Sequence, residues 1–437
     1  MKHFTIILAA LFAASPQSIL SADTDLSKLA VANNTFAFKL VREISSEQPD
    51  KNIFISPYSA ATALQMAASG AGGQTKIEMQ KVLETAGLSA DALNAASKSV
   101  AYDLAHPKTR LQRILQWSQL SEAEFETRSN ELVRLNPDLL KPEATNIVVT
   151  ANALFYRQGS AIKPGFVEAN QKFFSSAAKA LDFNHPAAAA AEINQWASDQ
   201  TQGRITGIAD GMIDPSLTDL ILVNAIYFKG EWEIPFDQKL TRERRFHPAN
   251  HAAKNVPMMD VSAKFAYRKC DDCQAVSLPY KDSSLAMLVL LPAPSSSPAK
   301  LLAAMKGGNW PGELFAGATV PKGHLVLPKF KLENTFKLID PLKALGMTTA
   351  FNPVKADFSG MFDDQQHCIT KVRQKTFLEV GEAGTEAAAA TAVERGTYGA
   401  PEKPPEPFEL IVDRPFMFAI VDWNCGMILF LGVVNDL

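Results

Sequence analysis

Apolar positions along this chain switch repeatedly between helical and strand spacing. Residues 23–83 read mainly as helix, with Leu29, Val31, Phe36, Phe38 and Leu40 as the first apolar positions. Inside that stretch, the run from Asn52 to Met66 predicts a short strand, a cap and a buried helix. Ser56 is placed to cap the helix, with Pro57 at its first position. The glycine-rich run from Ala68 to Gly73 stops it. Thr75 and Glu78 have capping-box spacing for the next helix. Residues 88–135 are polar and mostly helical, and Trp117 sits in their middle.

Strand spacing takes over in the apolar run from Thr145 to Tyr156. A helix and turn follow over Ile193 to Ile208. Leu220 to Phe228 is almost continuously apolar, as in a strand covered on both faces. Val276 to Leu291 and Leu325 to Leu332 supply more strand. A short helix comes next, with Asp340 as its cap, Pro341 at its first position and Gly346 at its end. The C-terminus predicts three strands, Phe408 to Val412, Phe416 to Asp422, and Met427 to Val434. Strands and helices mix without strict βαβ alternation, which predicts an α+β fold rather than a doubly wound sheet.

One stretch fits both periods. Gly381 to Val393 is rich in Ala, the best helix former. Read as a strand, it puts Thr385, Ala387, Ala389, Thr391 and Val393 on one face. Glu386, Ala388, Ala390, Ala392 and Glu394 fall on the other face, which carries both acids. The first face is small, uncharged and buriable. A Gly/Pro-rich run follows, so the segment is a candidate conformational switch.

With 437 residues, 47% of them hydrophobic, the chain can bury a sizeable core. A formal net charge of -3 and the lack of a Lys/Arg block give no sign of nucleic-acid binding. At the N-terminus Lys2 and His3 precede the apolar run Phe4 to Ala14, too short to span a bilayer. Ser21 and Ala22 then precede Asp23. Residues 1–22 therefore read as a signal peptide and 23–437 as a single exported domain, secreted or periplasmic, with no membrane segment in the mature form.

Of the four cysteines, Cys270 and Cys273 have C-x-x-C spacing inside two alternating strands flanking a turn. No second pair and no nearby His complete a zinc site. A small disulfide pinning that hairpin is the reading for an exported chain. A thiol catalyst would need a βαβ context that is missing. Cys368 and Cys425 read as buried apolar positions. The seven histidines are scattered, and no hydrolase elbow, zinc-protease, dinucleotide or P-loop motif is present. No cofactor, no metal and no catalytic residue are expected.

Several segments together resemble the serpin family of serine protease inhibitors. They are Asn52 to Ser59, Ile193 to Trp196, Thr201 to Ile205, Leu222 to Trp232 and Leu278 to Tyr280. Further along come Pro328 to Lys331, the hinge run Gly384 to Ala390, and Asp413 to Phe418. They follow the family's order from about residue 30 onward. The resemblance implies three β-sheets, eight or nine helices and an exposed reactive-centre loop at about 384–414. It implies a suicide-substrate inhibitor, monomeric and metastable, whose partner is a serine protease held in a covalent acyl complex. Cleavage frees the hinge, Glu382, Gly384, Thr385, Glu386, Ala387, Ala388, Ala389, Ala390 and Thr391, to insert as a new strand. The alternative is a non-inhibitory serpin acting as a binding or structural protein.

The same resemblance places Trp232 where the loop first enters the sheet, and Ser56, Ser59 and Asn224 where the central strands part. There the family usually has a His on the neighbouring strand; this chain has Gln374. Gln can hydrogen-bond as well, and the departure bears on pH response and on the energetics of opening. Counting from Glu382 by the family's usual hinge length sets the reactive bond at Tyr398-Gly399, which suits a chymotrypsin-like pocket. Counting back from Pro415 lands nearer Lys403-Pro404. Arg395-Gly396 would suit a trypsin-like pocket with a shorter inserted arm.

Overall fold

A chain whose apolar period keeps changing has to build layers of both kinds. The computed structural model describes residues 24–105, 146–281, 284–363, 367–385 and 406–437. Nine α-helices lie among the described residues. They are α1 (Thr24–Glu47), α2 (Pro57–Ser69), α3 (Gly73–Val82), α4 (Ala90–Ala105), α5 (Pro164–Phe174), α6 (Pro186–Gln200), α7 (Pro298–Ala304), α8 (Trp310–Leu314) and α9 (Ile339–Ala344). The first eight strands are β1 (Ile53–Ile55), β2 (Ile147–Arg157), β3 (Ala177–Leu181), β4 (Leu220–Glu231), β5 (Arg242–Phe246), β6 (Lys254–Lys264), β7 (Ala266–Lys269) and β8 (Cys273–Pro279). The rest are β9 (Leu285–Pro292), β10 (Lys322–Pro328), β11 (Phe330–Lys337), β12 (Ile369–Gly381), β13 (Gly384–Thr385), β14 (Phe408–Ile411), β15 (Phe416–Asp422) and β16 (Met427–Val434).

The strands form three sheets. The central sheet has the order β11-β12-β13-β4-β2-β3, a second runs β1-β16-β15-β9-β8-β7, and a four-stranded sheet runs β14-β10-β6-β5. The two-sided burial expected for residues 220–228 has a clear cause. Ile221, Val223 and Ala225 pack with Ile193 and Ala197 of α6. Leu220 and Leu222 join the core that holds Leu64 of α2. Ile226 and Phe228 face the second sheet, with Phe418 and Phe430. Ser56 caps α2, its side chain accepting from the Ser59 N–H, with Pro57 in the first turn.

The structure departs from the sequence expectations at several turns. Residues 325–332 are not one strand. Pro328 lacks a ladder donor, and the chain changes sheets there, from β10 to β11. Thr75 and Glu78 form no capping box, since α3 is capped at Gly72 with no side-chain bond. Glu78 instead accepts from the Thr348 and Thr349 backbone N–H groups at 2.8 and 2.7 Å. Asp340 lies inside α9, whose cap is Leu338. Of the polar helical region at 88–135, residues 90–105 form α4 and 106–135 lie outside the described residues, as do residues 1–22. No helix among the described residues is long and apolar enough to cross a membrane.

Two parts of the span 384–414, expected as an exposed loop, are strand. Gly384 and Thr385 are buried in the central sheet. Residues 408–411 are strand β14, parallel to β10 with Phe408 opposite Gly323. The Phe408 ring stacks on Tyr267 at 4.3 Å and 6°. It also fills the space a Cβ would need at Gly323, 2.0 Å from its nearest ring carbon. Gly323→Val should therefore push Phe408 off its seat and cost about 1–3 kcal/mol. Equilibrium urea unfolding of the variant against the parent checks this; equal midpoints would refute it.

Candidate functional site

The site is the seam between β12 and β4. From Ile369 opposite Leu220 to Phe377 opposite Tyr227 the two strands pair directly and in parallel. Beyond Tyr227 they part, and β13 lies between them. It is antiparallel to both, with Thr385 opposite Val380 on one side and Gly230 on the other. The chain rises along β12, turns at Glu382 and Ala383, and starts back down the gap. Gly384 has φ +151°, and a Cβ there would lie 2.1 Å from the Gly230 carbonyl oxygen, so only glycine fits.

Trp232 and Tyr280 roof this gap. Their rings stack at 4.6 Å and 16°. The Trp232 indole N–H donates to the Gly381 carbonyl at 2.9 Å. Its backbone N–H donates to Ala383 at 3.0 Å. The Tyr280 hydroxyl and Thr385 Oγ1 are 2.9 Å apart. Burial pushes the Tyr280 hydroxyl well above its usual range, so it stays protonated.

Glu382 holds the turn down. Its carboxylate meets Lys329 Nζ at 2.9 Å and accepts from Thr241 Oγ1 at 2.8 Å. Its carbonyl accepts from the Phe236 N–H at 2.8 Å. Burial alone would raise its pKa, but the Lys329, backbone and Thr241 contacts outweigh that and leave it below the ordinary value.

Lower on the seam lies a buried polar cluster. Gln374 is opposite Asn224, and Asn224 opposite Asn152. Gln374 Nε2 donates to Asn224 Oδ1, and Asn224 Nδ2 donates to Ser59 Oγ and Asn152 Oδ1. Gln374 also brackets Ser56, accepting from its N–H and donating to its carbonyl, both at 2.9 Å. Ser56 Oγ donates to the Leu429 carbonyl at 2.7 Å, which ties α2 to the second sheet. One side chain thus links β12, β4 and the start of α2.

The structure brings Ser56, Ser59, Asn224 and Gln374 together at the seam, and Trp232, Glu382, Gly384 and Thr385 at its open end. Glu386, Ala387, Ala388, Ala389, Ala390 and Thr391 lie outside the described residues. So do Arg395, Gly396, Tyr398 and Gly399. Cys270 and Cys273 are unbridged thiols, and the expected disulfide is not formed in the structure. No group of His, Cys, Asp and Glu among the described residues could hold a metal ion. Sequence reasoning gave no role to Asn152, Tyr280, Thr241 or Lys329. They come from separate parts of the chain, and only Tyr280 and Lys329 lay in segments carrying the family resemblance.

The family model "Serpin (serine protease inhibitor)" matches residues 31–437. The chain belongs to the serpin family. Human Serpin B8 is 35% identical over 414 residues, covering 93% of this chain and 99% of its own. Human leukocyte elastase inhibitor is 32% identical over 418 residues, covering 93% and 99%. Among solved structures, the native state of the thermophilic serpin Tengpin has a TM-score of 0.78 at 26% identity, covering 96% of each chain. The three sheets, the nine helices and the mixed α+β architecture are those of the serpin fold.

Two measurements probe this serpin's seam. Gln374→Ala strands the Ser56 N–H and the Asn224 amide, and should lower stability by about 2–4 kcal/mol in denaturant unfolding. A loss below a few tenths would refute the bracket. For Glu382 the folded pKa is depressed, so its contribution is complete above the ordinary carboxylate range. It is lost as pH falls below that range through the folded value. Glu382→Gln should cost about 1 kcal/mol at neutral pH, where the half-exposed Lys329 limits the gain. Melting curves of parent and variant should converge on acidification; a constant offset at every pH would count against it.

Proposed function

We propose that this serpin is a suicide-substrate inhibitor of a chymotrypsin-like serine protease. The observation that carries the reading is the β13 wedge. The hinge already starts down a gap between two central strands, and its register says what would follow. Continuing from Thr385 opposite Val380, an inserted chain would set residue 387 opposite Leu378, 389 opposite Thr376 and 391 opposite Gln374. Leu378, Thr376 and Gln374 are all fully buried. The side chains destined for that inner face are Ala387, Ala389 and Thr391. They are small and uncharged, as a closed interior requires.

On the other flank, the β4 register would set residue 391 opposite Asn224. Insertion must separate Gln374 from Asn224, and Thr391 arrives at that level with one donor and two acceptor lone pairs. The buried amides can exchange partners without being left unsatisfied.

In this reading the protease serine attacks the carbonyl of Tyr398. The Tyr398-Gly399 amide breaks, the Gly399 amine leaves with a proton, and an ester joins the protease to Tyr398. The freed arm then inserts and carries the acylated protease with it before water reaches the ester. The signal-like residues 1–22 fit export to a compartment where such proteases act.

Incubation with chymotrypsin should give an SDS-stable complex and release a fragment of residues 399–437, read by mass spectrometry. Thr385→Arg would force a charge into the gap under Tyr280 and should turn the inhibitor into a substrate, with the same fragment released but no complex. Turnover of the parent without any trapped complex, or an unchanged melting point after loop cleavage, would point instead to a non-inhibitory serpin. A fragment starting at Gly396 would move the reactive bond to Arg395.

A further inference from the structure

The tip of the β7–β8 hairpin carries two thiols that the seam does not use. The strands are antiparallel, with Ala266 opposite Ser277 and Lys269 opposite Gln274. One step further, Cys270 faces Cys273 across the turn Asp271 and Asp272. The Cys270 N–H donates to the Cys273 carbonyl at 2.8 Å. Directly opposed residues of an antiparallel pair have Cα atoms about 4.5–5.5 Å apart. A disulfide needs about 4.4–6.8 Å.

The hairpin also abuts the return leg of the loop. Tyr267 of β7 is the platform for Phe408, the first residue of β14. Its hydroxyl donates to Gln274 Oε1 of β8 at 2.8 Å, beside Cys273. The platform therefore depends on β7 and β8 staying together.

We propose that Cys270 and Cys273 are a redox-modification site: in oxidising surroundings they close a disulfide across the hairpin tip and brace the seat of Phe408. The oxidant is a low-molecular-weight disulfide. Cys270, the half-exposed partner, attacks one of its sulfurs as the thiolate and expels one thiolate. The buried Cys273 then attacks the Cys270 sulfur, and the second thiolate leaves. Two electrons pass to the oxidant, and the two cysteine protons end on the two departing thiols. Burial pushes the Cys273 thiol above its ordinary value, and the Cys270 charge that adds to this in the free dithiol is gone once Cys270 is a mixed disulfide. Its attack is therefore slow near neutrality and quickens by about tenfold per pH unit. Such a thiolate is also a poor leaving group, so the closed bond resists reduction, as suits a brace rather than a catalyst.

The test treats the full-length protein with reduced or oxidised glutathione at several pH values. Acid quenching, alkylation, denaturation and trypsin follow. Cleavage after Lys269 and Lys281 gives one peptide, residues 270–281, holding both thiols. In the oxidised sample it should be lighter by two hydrogens and unalkylated, with closure about tenfold faster per pH unit. Cys273→Ser should instead trap glutathione on Cys270. A peptide doubly alkylated at every glutathione ratio, or trapping on Cys368 or Cys425 instead, would overturn the site. Hydrogen exchange of residues 408–411 should slow in the oxidised form; unchanged exchange would overturn the brace.

Discussion

Everything in this molecule is arranged around one weak line of hydrogen bonds, the parallel pairing of β12 with β4. Parallel ladders are slightly less stable per residue than antiparallel ones. Here the ladder ends at Phe377 and Tyr227, and above it two residues of β13 already keep the strands apart. Each neighbouring feature bears on that line. Trp232 and Tyr280 roof its open end, and α2 supports it from beneath through Ser56 and Ser59. Arg373, on β12, clips the 208–210 turn onto the sheet by donating to the Ile208 and Asp210 carbonyls at 2.9 Å each.

The chemistry of the seam follows from the cost of stranding polar groups. Gln374, Asn224 and Asn152 are buried at the middle of the sheet, where apolar packing would be simpler. Buried amides are tolerable only when satisfied, and these are satisfied by one another and by α2. An apolar seam would resist an incoming strand by packing alone. An amide seam can trade one partner for another of similar geometry. Gln374 carries no titratable group, so the bracket around Ser56 keeps the same charge at every pH.

Much of the fold was legible because its signals are local. β15 and β16 fall where the apolar alternation put them, and the Ser56 cap with Pro57 reads directly from two residues. The failures share a cause. Thr75 and Glu78 have the right spacing for a capping box, but Thr348 and Thr349, remote in sequence, compete for the Glu78 carboxylate. Asp340 and Pro341 look like a cap and a first position, but the backbone turns helical earlier. The strand run at 325–332 breaks because Pro328 falls where the chain leaves one sheet for another. The loop was expected to run to about Arg414, and nothing local marks Phe408 to Ile411 as strand; Phe408 is seated by Tyr267 and Gly323, from two other elements.

By itself, then, the chain determined where many of the strands and helices lie, because period and residue size are properties of neighbours in sequence. It also determined, through the order of several short segments, the family. Only the tertiary structure decided that the hinge begins inside the sheet, that Gln374 ties two strands to a helix, and that Glu382 is held by Lys329 and Thr241. Those contacts join residues far apart along the chain, and no local pattern encodes a distance across a sheet.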